Sequence, residues 1–174
     1  MQLRQSPEAL DRLLGSIKRQ QVSVAAANSI WKRLVKANLN GPRKIMRADD
    51  AELRAVGLSR QKVRYARALA ESKINYRSLR SMSSEEVINT LTQVSGIGVW
   101  TAEIYTMFSL ARADVFAAGD LALQESARLL FELRERPSER EIRQMAEKWS
   151  PWRAVAARLL WAYYSYSKKR EGVR

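Results

Sequence analysis

The chain has 174 residues, 46% of them hydrophobic, with 31 Lys and Arg against 18 Asp and Glu for a net charge of +13. That length suits one domain or two small lobes around a real core. Neither Cys nor His occurs, which excludes Ser-His-Asp and Cys-His catalysis, zinc sites built on those residues and iron–sulfur clusters, and leaves Asp, Glu, Lys, Tyr or backbone groups for any chemistry.

The charge is unevenly spread. Arg12 to Arg47 holds nine basic residues and no acidic one, and Arg60 to Arg80 holds seven basic residues against Glu71 alone, whereas Glu103 to Glu147 holds nine acidic and six basic residues. Such asymmetry points to a surface for a polyanion, with a merely solvated basic face as the alternative. No apolar run approaches the roughly 18 residues needed to cross a bilayer, and no signal-peptide pattern precedes the first helix. The expectation is a soluble intracellular protein.

In chain order, Ser6-Pro7-Glu8 predicts a helix start, with Leu10, Leu13, Leu14 and Ile17 on one apolar face. Gln20-Gln21-Val22-Ser23 breaks that pattern, and Ser23 can cap a helix carrying Val24, Ala27, Ile30, Trp31 and Leu34. Asp49-Asp50-Ala51-Glu52 is a capping-box start for a short helix ended by Gly57. Ser59 caps a longer helix from Arg60 to about Ser72, with Val63, Ala66, Leu69 and Ala70 inward and Arg60, Lys62, Arg64, Arg67 and Lys73 outward. Ser83-Ser84-Glu85-Glu86 opens another helix running to Gln93.

Gly96-Ile97-Gly98 then forms a tight turn before a helix from Val99 to Leu110. Glycines suit such a turn and leave backbone N–H groups uncovered at a helix start, where a phosphate can bind. A plain interhelical turn is the other reading. Gly119-Asp120 directly precedes a helix opening Leu121 to Leu123. Asp120 reads as its N-cap. The positive end of the helix dipole also favours a carboxylate there and fixes its direction, which suits a group facing developing positive charge. Ser138-Glu139-Arg140-Glu141 opens a further helix through Lys148, and Pro151 starts the last one, with Trp152, Val155, Ala156, Leu159, Leu160 and Tyr163 at helical spacing and Trp152 assigned to the core. No strand-like alternation, repeat or linker occurs, so the expectation is an all-α chain of nine or ten helices.

Val94-Ser95-Gly96-Ile97-Gly98-Val99-Trp100-Thr101-Ala102, followed by Val115-Phe116-Ala117-Ala118-Gly119-Asp120-Leu121-Ala122-Leu123, resembles the helix-hairpin-helix plus Gly/Pro-Asp signature of the DNA glycosylase superfamily. Within it, Gln20-Gln21-Val22-Ser23-Val24-Ala25-Ala26-Ala27 and Ser150-Pro151-Trp152-Arg153 are similar to the 3-methyladenine DNA glycosylase II branch. The resemblance spans about Ser6 to Tyr166. It implies a two-lobed fold with the cleft between lobes: residues 18–105 as a helical barrel with the hairpin, and residues 1–17 plus 106–174 as a second lobe carrying Asp120.

The resemblance further implies a monofunctional glycosylase that flips an alkylated purine such as 3-methyladenine or 7-methylguanine out of duplex DNA and hydrolyses its N-glycosidic bond. In this reading Asp120 is the catalytic carboxylate, Trp100 and Trp161 line the base pocket, Gln21 is the wedge in the duplex, and Gly96, Ile97 and Gly98 hold phosphate. For Gln21 an ordinary loop residue, and for either Trp plain core, are the alternatives. Bifunctional members place a lysine where Trp100 stands, which implies no lyase activity here. Ile104 and Ala117 stand where some relatives have an aromatic residue and a proline, the latter implying a looser turn before Asp120. No cofactor is implied; some relatives bind a monovalent cation through hairpin carbonyls, here those of Gln93, Ser95 and Ile97. The partner implied is double-stranded DNA with alkylated bases, bound by a monomer with no membrane association, at the cytoplasmic nucleoid or in a nucleus. A non-catalytic helix-hairpin-helix DNA-binding module, and a glycosylase for deaminated or etheno bases, are the competing functions.

Overall fold

The computed structural model describes residues 24–171, and every regular element among them is helical. Nine α-helices and one 3₁₀ turn follow one another: α1 (Val24–Lys36), α2 (Pro42–Arg47), α3 (Asp50–Ala55), α4 (Arg60–Glu71), the 3₁₀ turn (Ser78–Arg80), α5 (Ser84–Thr92), α6 (Val99–Phe108), α7 (Leu121–Leu130), α8 (Glu139–Glu147) and α9 (Arg153–Glu171). The chain divides into two compact units between Ala102 and Glu103, within α6. The helix expected from Ser6, the Ser23 cap and Gln21 lie outside the described residues.

In the first unit the polar starts behave as their sequences predict. Asp49 accepts from Glu52 N while Glu52 accepts from Asp49 N, both at 2.8 Å, and Ser83 and Glu86 repeat this reciprocal cap on α5. Helix α2 is absent from the sequence-based expectation; its signal is Gly41-Pro42, where Pro stands in the first turn and its missing N–H costs nothing. Ile45 of α2 is buried with Leu34, Leu53, Val63, Leu69, Val87 and Leu91.

Two outward assignments on α4 are corrected. Lys62 is buried, and burial pulls its ammonium below the usual lysine range. Arg67 turns onto the end of α2, donating to Ile45 O at 3.2 Å and Ala48 O at 2.8 Å while bridging Asp50 at 2.7 Å. It serves carbonyls that a helix end leaves without intrahelical partners.

In the second unit α7 packs on α9, and the buried Ser126 hydroxyl donates across that contact to Leu160 O at 2.7 Å. Ala154, Ala157 and Leu160 form the inward face of α9. This corrects the assignment of Trp152 to the core: Trp152 is 61% exposed and Leu159 is 67% exposed. The helix begins at Arg153 rather than Pro151, and its alanines present the small face that lets α7 approach closely. No helix among the described residues is long and apolar enough to cross a membrane.

Candidate active site

Between α5 and α6 the chain turns through two short backbone bonds, Val94 N to Leu91 O at 3.1 Å and Ile97 N to Val94 O at 3.0 Å. Ile97 is buried and anchors the turn. Gly96 has φ of +91°, and a Cβ on it would stand 2.3 Å from Cγ of Tyr65 on α4, so its glycine is required inside the fold. A Cβ on Gly98 would meet nothing within 4 Å. Nothing internal asks for glycine there, and its backbone lies open at the start of α6 beside Val99 and Trp100, which are 48% and 38% exposed. Trp100 is therefore no core residue. Among the described residues no group of three or more Asp or Glu is placed to hold a metal ion.

Asp120 caps α7. Its Oδ1 accepts from Ala122 N at 3.0 Å, Leu123 N at 3.1 Å and the Trp161 indole Nε1 at 3.1 Å. Two helix-terminal amides and one side chain of α9 thus converge on one carboxylate oxygen and fix the plane of the group. The turn leading into it is closed by Asp120 N to Ala117 O at 2.9 Å and by the buried Gln124 amide, which donates to Ala118 O at 2.9 Å. The looseness expected from Ala117 in place of proline is met by these bonds, with Ala117 itself fully buried. Leu121, the next residue, is 62% exposed beside the carboxylate.

Trp161 packs against Phe108 with ring centroids 5.7 Å apart, and the Arg158 guanidinium lies 5.2 Å from the Phe108 centroid. Asp120 and Trp161 are thus brought together, as are Gly96, Ile97 and Gly98 in their turn. Asp114, six residues before Asp120, holds Arg153 in a bidentate pair with Nε to Oδ1 at 2.6 Å and Nη2 to Oδ2 at 2.8 Å, and Ser150 Oγ donates to Oδ2 at 3.0 Å. The Arg153 hydrogen bonds hold the Asp114 carboxyl below the usual carboxylate range, and that carboxylate holds Arg153 up. Sequence reading does not connect these residues, which are 39 positions apart; only Ser150-Pro151-Trp152-Arg153 stands out, without a partner.

A glycine turn joining two helices, with a carboxylate capping the next helix in the chain, defines a helix-hairpin-helix architecture that is all-helical among the described residues. Residues 14–151 match the HhH-GPD superfamily of base excision DNA repair proteins, and the chain belongs to that superfamily. It is 34% identical over 163 residues to DNA-3-methyladenine glycosylase 1 of Schizosaccharomyces pombe, covering 88% of this chain and 72% of that protein. Its fold is similar to a DNA-3-methyladenine glycosidase from Bacillus halodurans, with a TM-score of 0.84, 32% identity, and coverage of 97% of this chain and 81% of the other. It is also similar to the S. pombe 3-methyladenine DNA glycosylase in complex with abasic DNA, with a TM-score of 0.78, 33% identity, and coverage of 88% and 79%.

Proposed function

We propose that this protein is a monofunctional DNA glycosylase that removes alkylated purines from double-stranded DNA and so starts base excision repair. The observation that carries the reading is the Asp120 carboxylate, held by three N–H donors at the start of α7 in a chain of this superfamily.

In an N-alkylated purine the base already carries positive charge, so it leaves without a general acid. The C1′–N9 bond breaks with its electron pair passing to the departing base, which becomes neutral, while positive charge develops on the sugar. Asp120 stabilises that charge and orients the water whose oxygen forms the new C1′–O bond, the water proton passing to the carboxylate and then to solvent. Trp100 and Trp161 supply electron-rich ring faces that favour a cationic base. Gln21 fills the gap left by the flipped nucleotide, and the turn at Gly96, Ile97 and Gly98 holds a backbone phosphate. Trp100 offers no amine for a Schiff base, so water is the nucleophile and no lyase step follows.

The test is release of 3-methyladenine and 7-methylguanine from methylated duplex DNA by wild type and Asp120→Asn, with DNA binding measured for both. Release by wild type alone supports the reading; equal binding with no release by either protein overturns it in favour of a binding module or another substrate. Strand cleavage only after alkali treatment, with no borohydride-trapped complex, is the expected sign of a missing lyase step.

A further inference from the structure

The segment from Asp114 to Asp120 is fastened to α9 at both of its ends. At its start, Asp114 grips Arg153 through two parallel bonds and takes a third from Ser150, while the neighbouring Ala154 N donates to Ala113 O at 2.8 Å. At its end, Asp120 takes the Trp161 Nε1 bond. Arg153 and Trp161 lie eight residues apart on one continuous helix, a rise of about 12 Å. Between the two fastenings Val115, Phe116, Ala117 and Ala118 are all buried, and Phe116 packs on Trp149 with centroids 5.5 Å apart. The segment therefore has no slack at its start, its middle or its end.

We infer that Asp114 and Arg153, assisted by Ser150, are positioning residues that set where the Asp120 carboxylate stands. The inference rests on the reading of Asp120 as the catalytic group. A carboxylate facing a developing cation works only in place, and a misplacement of about 1 Å costs on the order of 10²-fold in rate. A bidentate guanidinium fixes its partner in direction as well as distance, which an ammonium does not reproduce. A plain staple would protect stability alone.

The experiment compares binding to two duplexes, one with a neutral tetrahydrofuran abasic site and one with a cationic pyrrolidine in the same place. The ratio of the two affinities reads the placed carboxylate without requiring turnover. Wild type is expected to prefer the cationic duplex. Arg153→Lys and the isosteric Asp114→Asn are each expected to lose that preference by about tenfold or more, with tetrahydrofuran affinity within about twofold of wild type, a ratio that general loosening of the fold would leave unchanged. Adding Arg153→Lys to Asp120→Asn should change the ratio no further, because the pair acts through Asp120. An intact preference in both clamp variants, or an additional loss on top of Asp120→Asn, overturns the positioning role. A preference that survives Asp120→Asn, or is missing in wild type, overturns the reading of Asp120 itself.

Discussion

Gly96 and Gly98 stand two positions apart in one turn and differ in what a methyl group would meet. At Gly96 the methyl runs into the Tyr65 ring and the backbone is left-handed; at Gly98 it points into open space. Gly96→Ala is expected to lower the melting temperature, so its effect on DNA binding would say little about the turn. Gly98→Ala should leave the melting temperature unchanged and weaken binding to an abasic-site duplex severalfold, because in the proposed reading a phosphate approaches the open backbone that the added methyl would cover. Binding at wild-type strength by a folded Gly98→Ala protein would remove the hairpin from the interface. A different residue-scale consequence follows from Glu103, a carboxylate 3% exposed whose Oε1 meets Arg143 at 2.7 Å and whose Oε2 finds no hydrogen-bond partner among the described residues. Burial pushes its pKa up, against the pull of Arg143. The folded chain then holds this proton more tightly than the unfolded one, so the contribution of Glu103 to stability falls as pH rises from the ordinary glutamate range through the raised value. Arg143→Ala should cost about 2–3 kcal/mol at pH 7.5, below the fully buried range because Arg143 is 44% exposed. The loss should shrink as pH falls from 7.5 through the raised value toward the ordinary glutamate range, and Glu103→Gln should remove most of that pH dependence; urea unfolding of wild type, the two single variants and the double variant across that range checks this.

At the scale of elements, helix starts were legible because their signals are local. Asp49, Ser59, Ser83, Asp120 and Ser138 all accept a hydrogen bond from a backbone N–H of the first turn, and a cap needs only residues within three positions of itself. Ser138→Ala should accordingly cost about 1 kcal/mol. Orientation was less legible because it depends on what arrives from elsewhere. Both faces of α9 are apolar, so spacing alone does not say which one α7 covers; the larger side chains attract the assignment, and the structure buries the alanines. Leu160→Ala is therefore expected to cost about 2–4 kcal/mol in urea unfolding, whereas Leu159→Ala, one position away, should stay within about 0.5 kcal/mol. The candidate site divides in the same way. Asp120 and the glycine turn carry local signatures, while the Trp161 bond to Asp120 and the Asp114–Arg153 pair join residues about 40 positions apart, and no spacing rule reaches that far.

For the molecule as a whole, the number of cations matters less than how many remain available to a phosphate backbone. Residues 1–102 hold eighteen basic and eight acidic residues, and Tyr65 against Gly96 sets α4 directly beside the hairpin. Arg60 and Arg64 share an exposed stripe of that helix, whereas Arg67 is committed to Ile45 O, Ala48 O and Asp50. Binding to an abasic-site duplex should therefore weaken steeply with salt, with a slope of about −4 to −6 in log affinity against log salt if five or six phosphates are neutralised. Arg60→Ala and Arg64→Ala should each make the slope shallower by about 1, in proportion to the counterion release that each contact causes. Arg67→Ala should leave the slope unchanged and lower the urea midpoint, because the guanidinium it removes was holding the end of α2. A flat salt response in wild type would mean that the basic surface takes no part in binding, and an equal change of slope for Arg67→Ala would mean that α4 meets the backbone through a different stripe.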